Sequence, residues 1–432
     1  MYLLYSLIYI VALIFVLPVE YFKRPGHIRK RWLKEKFGFL DSSLVTHHSS
    51  PIWVHAVSVG EVMASLPLLK RLREKYPSKN IILSTITDTG QKVARERVPE
   101  GTGVVYLPFD ITPVITAVIK KVKPVILIII ETELWPNLIR GFRKNGTPVI
   151  LLNGRISENS FRGYKRISLF MKRVLSHIDF FGMQGEEYAD RIKSLGVNTG
   201  KVVNTGNFKF DSSPPSQTPV WTEKIKGPVI TAGSTHEGEE EFITSVYHEL
   251  KKDSPALNLI IAPRHPERFK GVEDMLRLKG ISFIKRSAFS NQLPESTIVQ
   301  GQIILLDTVG ELSAIYGISD IAIIGKSFRG YGGQNPLEPA CWGKPIVCGP
   351  HMENFPVIRD FYTEGAAIEV REDELYSTLK ELLLSPDKAE EIGSKAQELY
   401  RKNAGAVERS LKIVERYINQ KNAINHRVHG GM

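Results

Sequence analysis

Apolar and polar positions divide the chain into three regimes. Residues 1–22, MYLLYSLIYIVALIFVLPVEYF, are apolar almost without break, and Glu20 is their one charge. Residues 23–36 are the opposite: Lys23, Arg24, Arg29, Lys30, Arg31, Lys34 and Lys36 stand against a single acid, Glu35. From Pro51 a rhythm sets in. Short β-branched runs at 52–57, 81–86, 104–109, 125–130 and 149–152 are bounded by turn residues and separated by stretches of helical spacing. That alternation predicts βαβ units with a parallel sheet buried on both faces. Pro67 lies inside the first helical stretch and predicts a kink or a late helix start.

The rhythm breaks at 211–219, where Asp211 is followed by SSPPSQTP; Ser, Pro and polar residues without periodicity read as a linker. It resumes with strand-like runs at 228–232, 257–262, 303–306, 321–324 and 346–348, and ends in a long, charged helical stretch at about 386–420. The expected architecture is α/β: two doubly wound domains in tandem. The boundaries are 1–22 for an anchor, 23–210 for the first domain, 211–219 for the linker and 220–420 for the second domain with its terminal helices.

Composition narrows the function. The 432 residues are enough for two to three domains, and 42% hydrophobic content is enough to bury their cores. The formal charge of +11 points to an anionic partner. Basic residues are spread out with no interleaved aromatic platform, so nucleic acid is disfavoured. The two cysteines, Cys341 and Cys348, exclude a disulfide scaffold and a cysteine zinc site. The first 22 residues approach the ~20 needed to cross a bilayer, and positive charges follow them rather than precede them. A membrane-spanning anchor with the remaining chain on the cytoplasmic side is the first reading. An interfacial helix and a core helix are the alternatives.

In open parallel sheets ligands bind where strands end and helices begin. The first strand ends in AVSVGE, which places Glu61 at a helix start, either as a dipole or capping partner or as a general base. The fourth ends in IIIETELWPN, where Glu131 and Glu133 follow six apolar residues, either as ion-pair members or as carboxylates that tune each other. Gly233-Ser234-Thr235-His236 suits a helix cap or a phosphate. Arg264, after another strand, suits a phosphate or carboxylate. Gly325, Gly330, Gly332 and Gly333 open a loop before Asn335-Pro336-Leu337-Glu338, where Asn335 is the expected cap and Pro336 the first helical residue. Asp-x-Asp, His-x-x-x-His and P-loop patterns do not occur, so no metal or other cofactor is expected.

HAVSVGE, ETELWPN, GNFKFD, STHEGEE, PRHPERF, DTVGEL and GGQNPLE occur in that order. Together with the N-terminal segment, RKRW and GPHMENF, they make the chain resemble the 3-deoxy-D-manno-octulosonic acid (Kdo) transferases of lipopolysaccharide synthesis. The resemblance implies a GT-B architecture, two Rossmann-like domains facing a cleft. It also implies inverting transfer of Kdo from CMP-Kdo to a lipid A precursor, lipid IVA, at the cytoplasmic face of the inner membrane. By motif, Glu61 takes the role of general base, and Glu131 and Lys209 match positions that stabilise the transition state. Pro263 and Arg264, then Val309, Gly310 and Glu311, then Asn335, Pro336, Leu337 and Glu338 match three CMP-binding stretches. Lys326, where a small residue is often seen, and the variable Gly330-Tyr331 are the departures. A UDP-sugar transferase acting on a lipid, a hydrolysing epimerase and a non-catalytic nucleotide-binding protein are the competing readings.

Overall fold

A computed structural model describes residues 1–41, 50–211, 217–291, 298–329 and 332–429. The chain forms two compact units, residues 1–212 with 404–432, and residues 213–403. Most of the expected linker (212–216), and Gly330 and Tyr331, lie outside the described residues.

Unit 1 holds seven parallel strands: β1 (Ile52–His55), β2 (Ile81–Thr85), β3 (Thr102–Tyr106), β4 (Ile126–Ile130), β5 (Val149–Gly154), β6 (Phe180–Met183) and β7 (Val202–Asn204), in the order β3-β2-β1-β4-β5-β6-β7. Both faces are covered, which is why the strands are apolar in register rather than alternating with polar residues. Trp53, Leu127, Ile129 and Leu151 pack to one side with the helices Thr112–Val122 and Pro136–Lys144. Val54, Ile128, Ile130 and Leu152 pack to the other with the helix Val59–Lys75. That helix runs through Pro67 without a late start: Ser58 caps it, accepting from the Glu61 amide at 3.4 Å.

Unit 2 repeats the plan with β8 (Val229–Thr235), β9 (Asn258–Pro263), β10 (Phe283–Lys285), β11 (Ile303–Leu305), β12 (Ile321–Ile324), β13 (Ile346–Cys348) and β14 (Ala367–Glu369), in the order β10-β11-β9-β8-β12-β13-β14. Its core includes Ile230, Leu259, Ile261, Ile323 and Val347 under the helices Glu239–Asp253 and Leu375–Leu384.

One domain boundary needs correction. Residues up to 420 were expected in the second domain, but from 404 the chain belongs to unit 1. The reason is an amphipathic face: Val407, Leu411, Val414 and Ile418 of the helix Ala406–His429 join the unit 1 core at helical spacing. Asp211 fixes the start of this helix, its carboxylate accepting from the Gly405 and Val407 amides, the latter at 2.6 Å.

Candidate active site

In unit 1 the strand order reverses between β1 and β4, the place where doubly wound sheets put ligands. Glu61 follows β1, in the first turn of its helix. Glu131 follows β4 directly. Its backbone sits in the left-handed region at φ 59°, a conformation a non-glycine residue holds only when its surroundings enforce it. The Glu131 amide donates to Leu152 O at 3.0 Å, so the strand pairing is kept while the side chain is turned away from the next pleat position.

The trio expected from sequence comes together in this unit. The charges of Glu131 and Glu133 act on Glu61, and Glu131 interacts with both Lys209 and Arg155. Lys209 arrives on the short 3-10 turn Phe208–Asp211 after β7. That turn is held by Asn153, whose Oδ1 accepts from the Phe208 amide at 3.0 Å. Arg155 follows β5, its amide donating to Thr132 Oγ1 at 3.2 Å. Arg155 and Asn153 carry no role in the sequence reading, and Glu133 enters it only as a carboxylate paired with or tuning Glu131. The signals present were the second acid of ETE and the polar NGR that ends an apolar run.

Both readings of Glu61 are visible at once. Its carboxylate accepts from the Val57 amide at 2.7 Å and from Ser58 Oγ at 3.1 Å, as a helix-start carboxylate would. Yet burial pushes its pKa up to about 7; the Val57 hydrogen bond opposes this, and the Glu131 and Glu133 charges add to it. A carboxylate that only capped the helix would be held in its charged form; this one is poised to exchange a proton near neutral pH. Burial raises Glu131, with Lys209 and Arg155 pulling it back. Burial lowers Lys209, and the Glu131 charge opposes that.

In unit 2 the reversal lies between β8 and β12. The strands approach so closely there that a Cβ on Gly325 would fall 2.5 Å from Ser234 O, which fixes glycine at that position. The expected phosphate-ready helix start at Gly233–His236 is revised. β8 continues to Thr235, and the following helix begins only at Glu239. The Glu239 carboxylate takes the amides of His236 (2.9 Å), Lys326 (2.7 Å) and Phe328 (3.2 Å). Glu240 is held by Arg268 at 2.7 and 3.1 Å and by Thr235 Oγ1 at 2.8 Å. The acids of STHEGEE therefore lock the loops in place.

Pro263 ends β9, and the exposed Arg264 follows it, its amide on Thr235 O at 3.0 Å and its charge acting on Glu338. Asn335 Oδ1 accepts from the Leu337 amide at 3.1 Å, and its Nδ2 donates to Glu338 Oε1 at 3.2 Å. The expected cap moves by one residue: Pro336 is the N-cap of the helix Leu337–Cys341 rather than its first residue, and Asn335, one position earlier, holds the Leu337 amide from outside the helix. Burial raises the Glu338 pKa. Glu311 is enclosed: Arg286 bridges both its oxygens at 2.9 Å, Trp221 Nε1 donates at 3.2 Å and Thr308 also binds it. Burial would raise its pKa, but Arg286 and Thr308 bring it below the usual carboxylate range. The carboxylate fixes the loop, leaving Val309 71% exposed and open space beside Gly310. No cluster of three or more His, Cys, Asp or Glu able to hold a metal occurs among the described residues.

Two seven-stranded parallel sheets with helices on both faces define the glycosyltransferase class of fold, and solved structures share it. A UDP-GlcNAc 2-epimerase from Neisseria meningitidis aligns with TM-score 0.53 and 13% identity over 84% of this chain and 100% of its own. MurG from Acinetobacter baumannii gives 0.53 and 13% over 85% and 99%. At such identity the likeness is one of fold alone. Sequence relatives go further. The model of the 3-deoxy-D-manno-octulosonic-acid transferase family matches residues 31–212. A 3-deoxy-D-manno-octulosonic acid transferase from Haemophilus influenzae is 35% identical over 399 residues, 90% of this chain and 92% of its own. One from Aquifex aeolicus is 33% identical over 350 residues, 81% and 90% of the respective chains. The chain belongs to the Kdo transferase family and is a glycosyltransferase.

Proposed function

We propose that the protein transfers Kdo from CMP-Kdo to a lipid A precursor, lipid IVA, with inversion at the anomeric carbon, in lipopolysaccharide biosynthesis at the cytoplasmic face of the inner membrane. The observation that carries the chemistry is Glu61, a buried carboxylate with a pKa raised to about 7 beside two further acids and reached from β1 at the sheet's switch point. An acceptor hydroxyl attacks the anomeric carbon and gives its proton to Glu61. The bond to the phosphate oxygen breaks, and CMP leaves with the electron pair. A base near its operating pH contributes roughly 10²–10⁴-fold to such a step. Lys209, with Glu131 setting its charge state, is proposed to balance the negative charge of the Kdo carboxylate or departing phosphate.

The donor set is proposed on unit 2. Arg264 suits the phosphate, the backbone of Val309 and Gly310 lies open to the nucleotide, and Asn335 to Glu338 present a cap and a carboxylate suited to ribose hydroxyls. Glu311 and Pro263 shape those loops. For the acceptor, a cavity of about 310 Å³ in unit 1 is lined by apolar side chains including Leu13, Leu107 and Trp135, and by Arg24 and Lys36. Burial lowers Lys36 to about 8. The cavity also holds Glu20, paired with Arg24 at 2.9 Å, so its apolar walls suit an acyl chain and Lys36 is the cation proposed to meet a phosphate.

Mass spectrometry of lipid IVA incubated with CMP-Kdo and the enzyme tests the reading: a mass gain of one or more Kdo residues is expected, and an unchanged acceptor overturns it. Calorimetry with CMP against UDP separates it from a UDP-sugar transferase. Because the sequence lacks an Asp-x-Asp pattern, activity is expected to survive EDTA. A loss above about tenfold that Mg²⁺ restores would show that cationic side chains alone do not neutralise the leaving group.

A further inference from the structure

The N-terminal helix Tyr2–Lys23 has 22 residues, about 33 Å at 1.5 Å per residue, and passes for a membrane span on length and composition. Its packing is not that of a span. Tyr2, Tyr5, Tyr9, Leu13 and Leu17 repeat every three or four residues with Arg24 just beyond; Tyr2 and Arg24 are buried and the others half-buried against unit 1. The contacts run from one end to the other. Tyr2 is buried in the main core, with the Arg140 guanidinium 4.4 Å from its ring. Tyr5 donates to Asp110 Oδ2 at 2.8 Å, and the Asp110 amide donates to Tyr9 Oη at 3.3 Å. Asn137 Nδ2 donates to Ser6 Oγ at 3.0 Å. At the far end Arg24 bridges Glu20 at 2.9 Å and Asp88 at 3.1 Å.

The other side of the same helix carries Leu3, Leu7, Ile14, Phe15, Val19 and Phe22, each at least 60% exposed. A helix fastened to a water-soluble domain at both ends cannot also have its middle at the centre of a bilayer. The basic collar is divided in the same way. Arg24 and Lys36 are buried and the exposed Arg31 pairs with Glu35 at 2.6 Å, whereas Lys23, Lys30 and Lys34 are exposed. An exposed apolar stripe followed in the chain by exposed lysines matches one leaflet of an anionic membrane.

We propose that this helix lies along unit 1 and in the plane of the membrane, so that the protein is seated in one leaflet through the face of Leu3 to Phe22 and does not cross the bilayer. The proposal concerns attachment and is independent of the sugar transferred. It places the apolar walls of the 310 Å³ cavity next to the leaflet, since Leu13 and Leu17 line both the helix contact and the cavity.

Spin labels on full-length protein in anionic vesicles test it. Leu4→Cys, Val11→Cys and Val19→Cys sit on the exposed side near the start, middle and end of the helix. Cys341→Ala removes the one natural thiol that is not buried. A helix in the plane gives three similar, shallow depths from oxygen and nickel-chelate accessibility. A deep Val11 label between shallow Leu4 and Val19 labels overturns the proposal in favour of a span. Labels that stay water-accessible, or become protected only as a dimer forms in the absence of lipid, overturn it in favour of a solvent-facing or self-associating surface. The mass-spectrometric transfer assay on the same preparations reads the chemistry separately.

Discussion

The two units both use glutamate at the carboxyl ends of parallel strands, and to opposite ends; Glu61, Glu131 and Glu239 lie at the strand reversals and Glu311 after β11. In unit 2 three of the acids are saturated, while Glu338 has, among the described residues, only Asn335 as donor and is raised by burial. Glu239 holds three backbone amides, Glu240 an arginine fork and a threonine, and Glu311 an arginine, a tryptophan and a threonine. In unit 1 burial pushes Glu61 to about 7, and the charges of Glu131 and Glu133 add to it. Residue type is shared; what differs is the balance around each carboxylate, since burial raises Glu239 as well but three amides oppose that, whereas Glu61 has two donors and two neighbouring acids. A saturated carboxylate is a fastening for loops. A carboxylate left short of donors among its own kind is held near the point of accepting a proton.

The strongest way to break this comparison is Glu61→Gln. Gln keeps the size and can still accept from the Val57 amide, but cannot take up a proton. Turnover should fall roughly 10²–10⁴-fold while CMP affinity stays within about twofold, because the proposed nucleotide residues belong to the other unit. If Glu61 were only a helix-start carboxylate, the change would instead cost roughly 0.3–1 kcal/mol of stability and leave turnover near normal. Turnover, CMP titration and melting on the one variant separate the two.

Glu239→Ala is the mirror experiment. It leaves the amides of His236, Lys326 and Phe328 without their acceptor, and an unsatisfied buried donor costs about 1–3 kcal/mol. A drop of roughly 3 kcal/mol in the stability of unit 2 is expected from denaturant unfolding, with weaker CMP binding as the 325–328 loop loosens. An unchanged melting profile would mean that this acid is no fastening.

The sequence made the sheets legible wherever burial forced continuous apolar runs. Ten of the fourteen strands of the two sheets were marked in this way. The other four, β6, β7, β10 and β14, have three or four residues each and lie at or near sheet edges, where short strands carry too little periodicity to stand out from loops. The return of the terminal helix to unit 1 was hidden for another reason. Val407, Leu411, Val414 and Ile418 define a buried face, but nothing in their spacing says which sheet they cover. At the site, motif order led to Glu61, Glu131 and Lys209, and these interact through charge in the structure. Glu133 was legible as a carboxylate neighbouring Glu131, but Arg155 could be recognised only from what surrounds Glu131. That Glu239 occupies the apparent phosphate-binding amides depends on β12 approaching β8, a contact between residues nearly ninety positions apart.

The smallest expected effect sharpens the comparison most, because it concerns the donor shortage itself. With Glu61 raised from 4.5 to about 7, the folded state binds a proton that the unfolded state has lost across that window. Stability contributed by this group is therefore present below about pH 4.5 and is lost as pH rises through 7. Catalysis runs the other way: kcat/KM should climb as Glu61 ionises, with a midpoint near 7 in the free enzyme. Glu133→Gln removes one of the two charges that oppose ionisation. The midpoint should then move down, by less than the ~1.4 kcal/mol that one pKa unit represents, and the plateau at high pH should hardly change. Salt screens exposed charges, so the displacement should shrink at high ionic strength. A midpoint that stays fixed in Glu133→Gln while Glu61→Gln abolishes the profile would assign the raised pKa to burial and Glu131 without Glu133. A profile that survives in Glu61→Gln would take the titrating group away from Glu61.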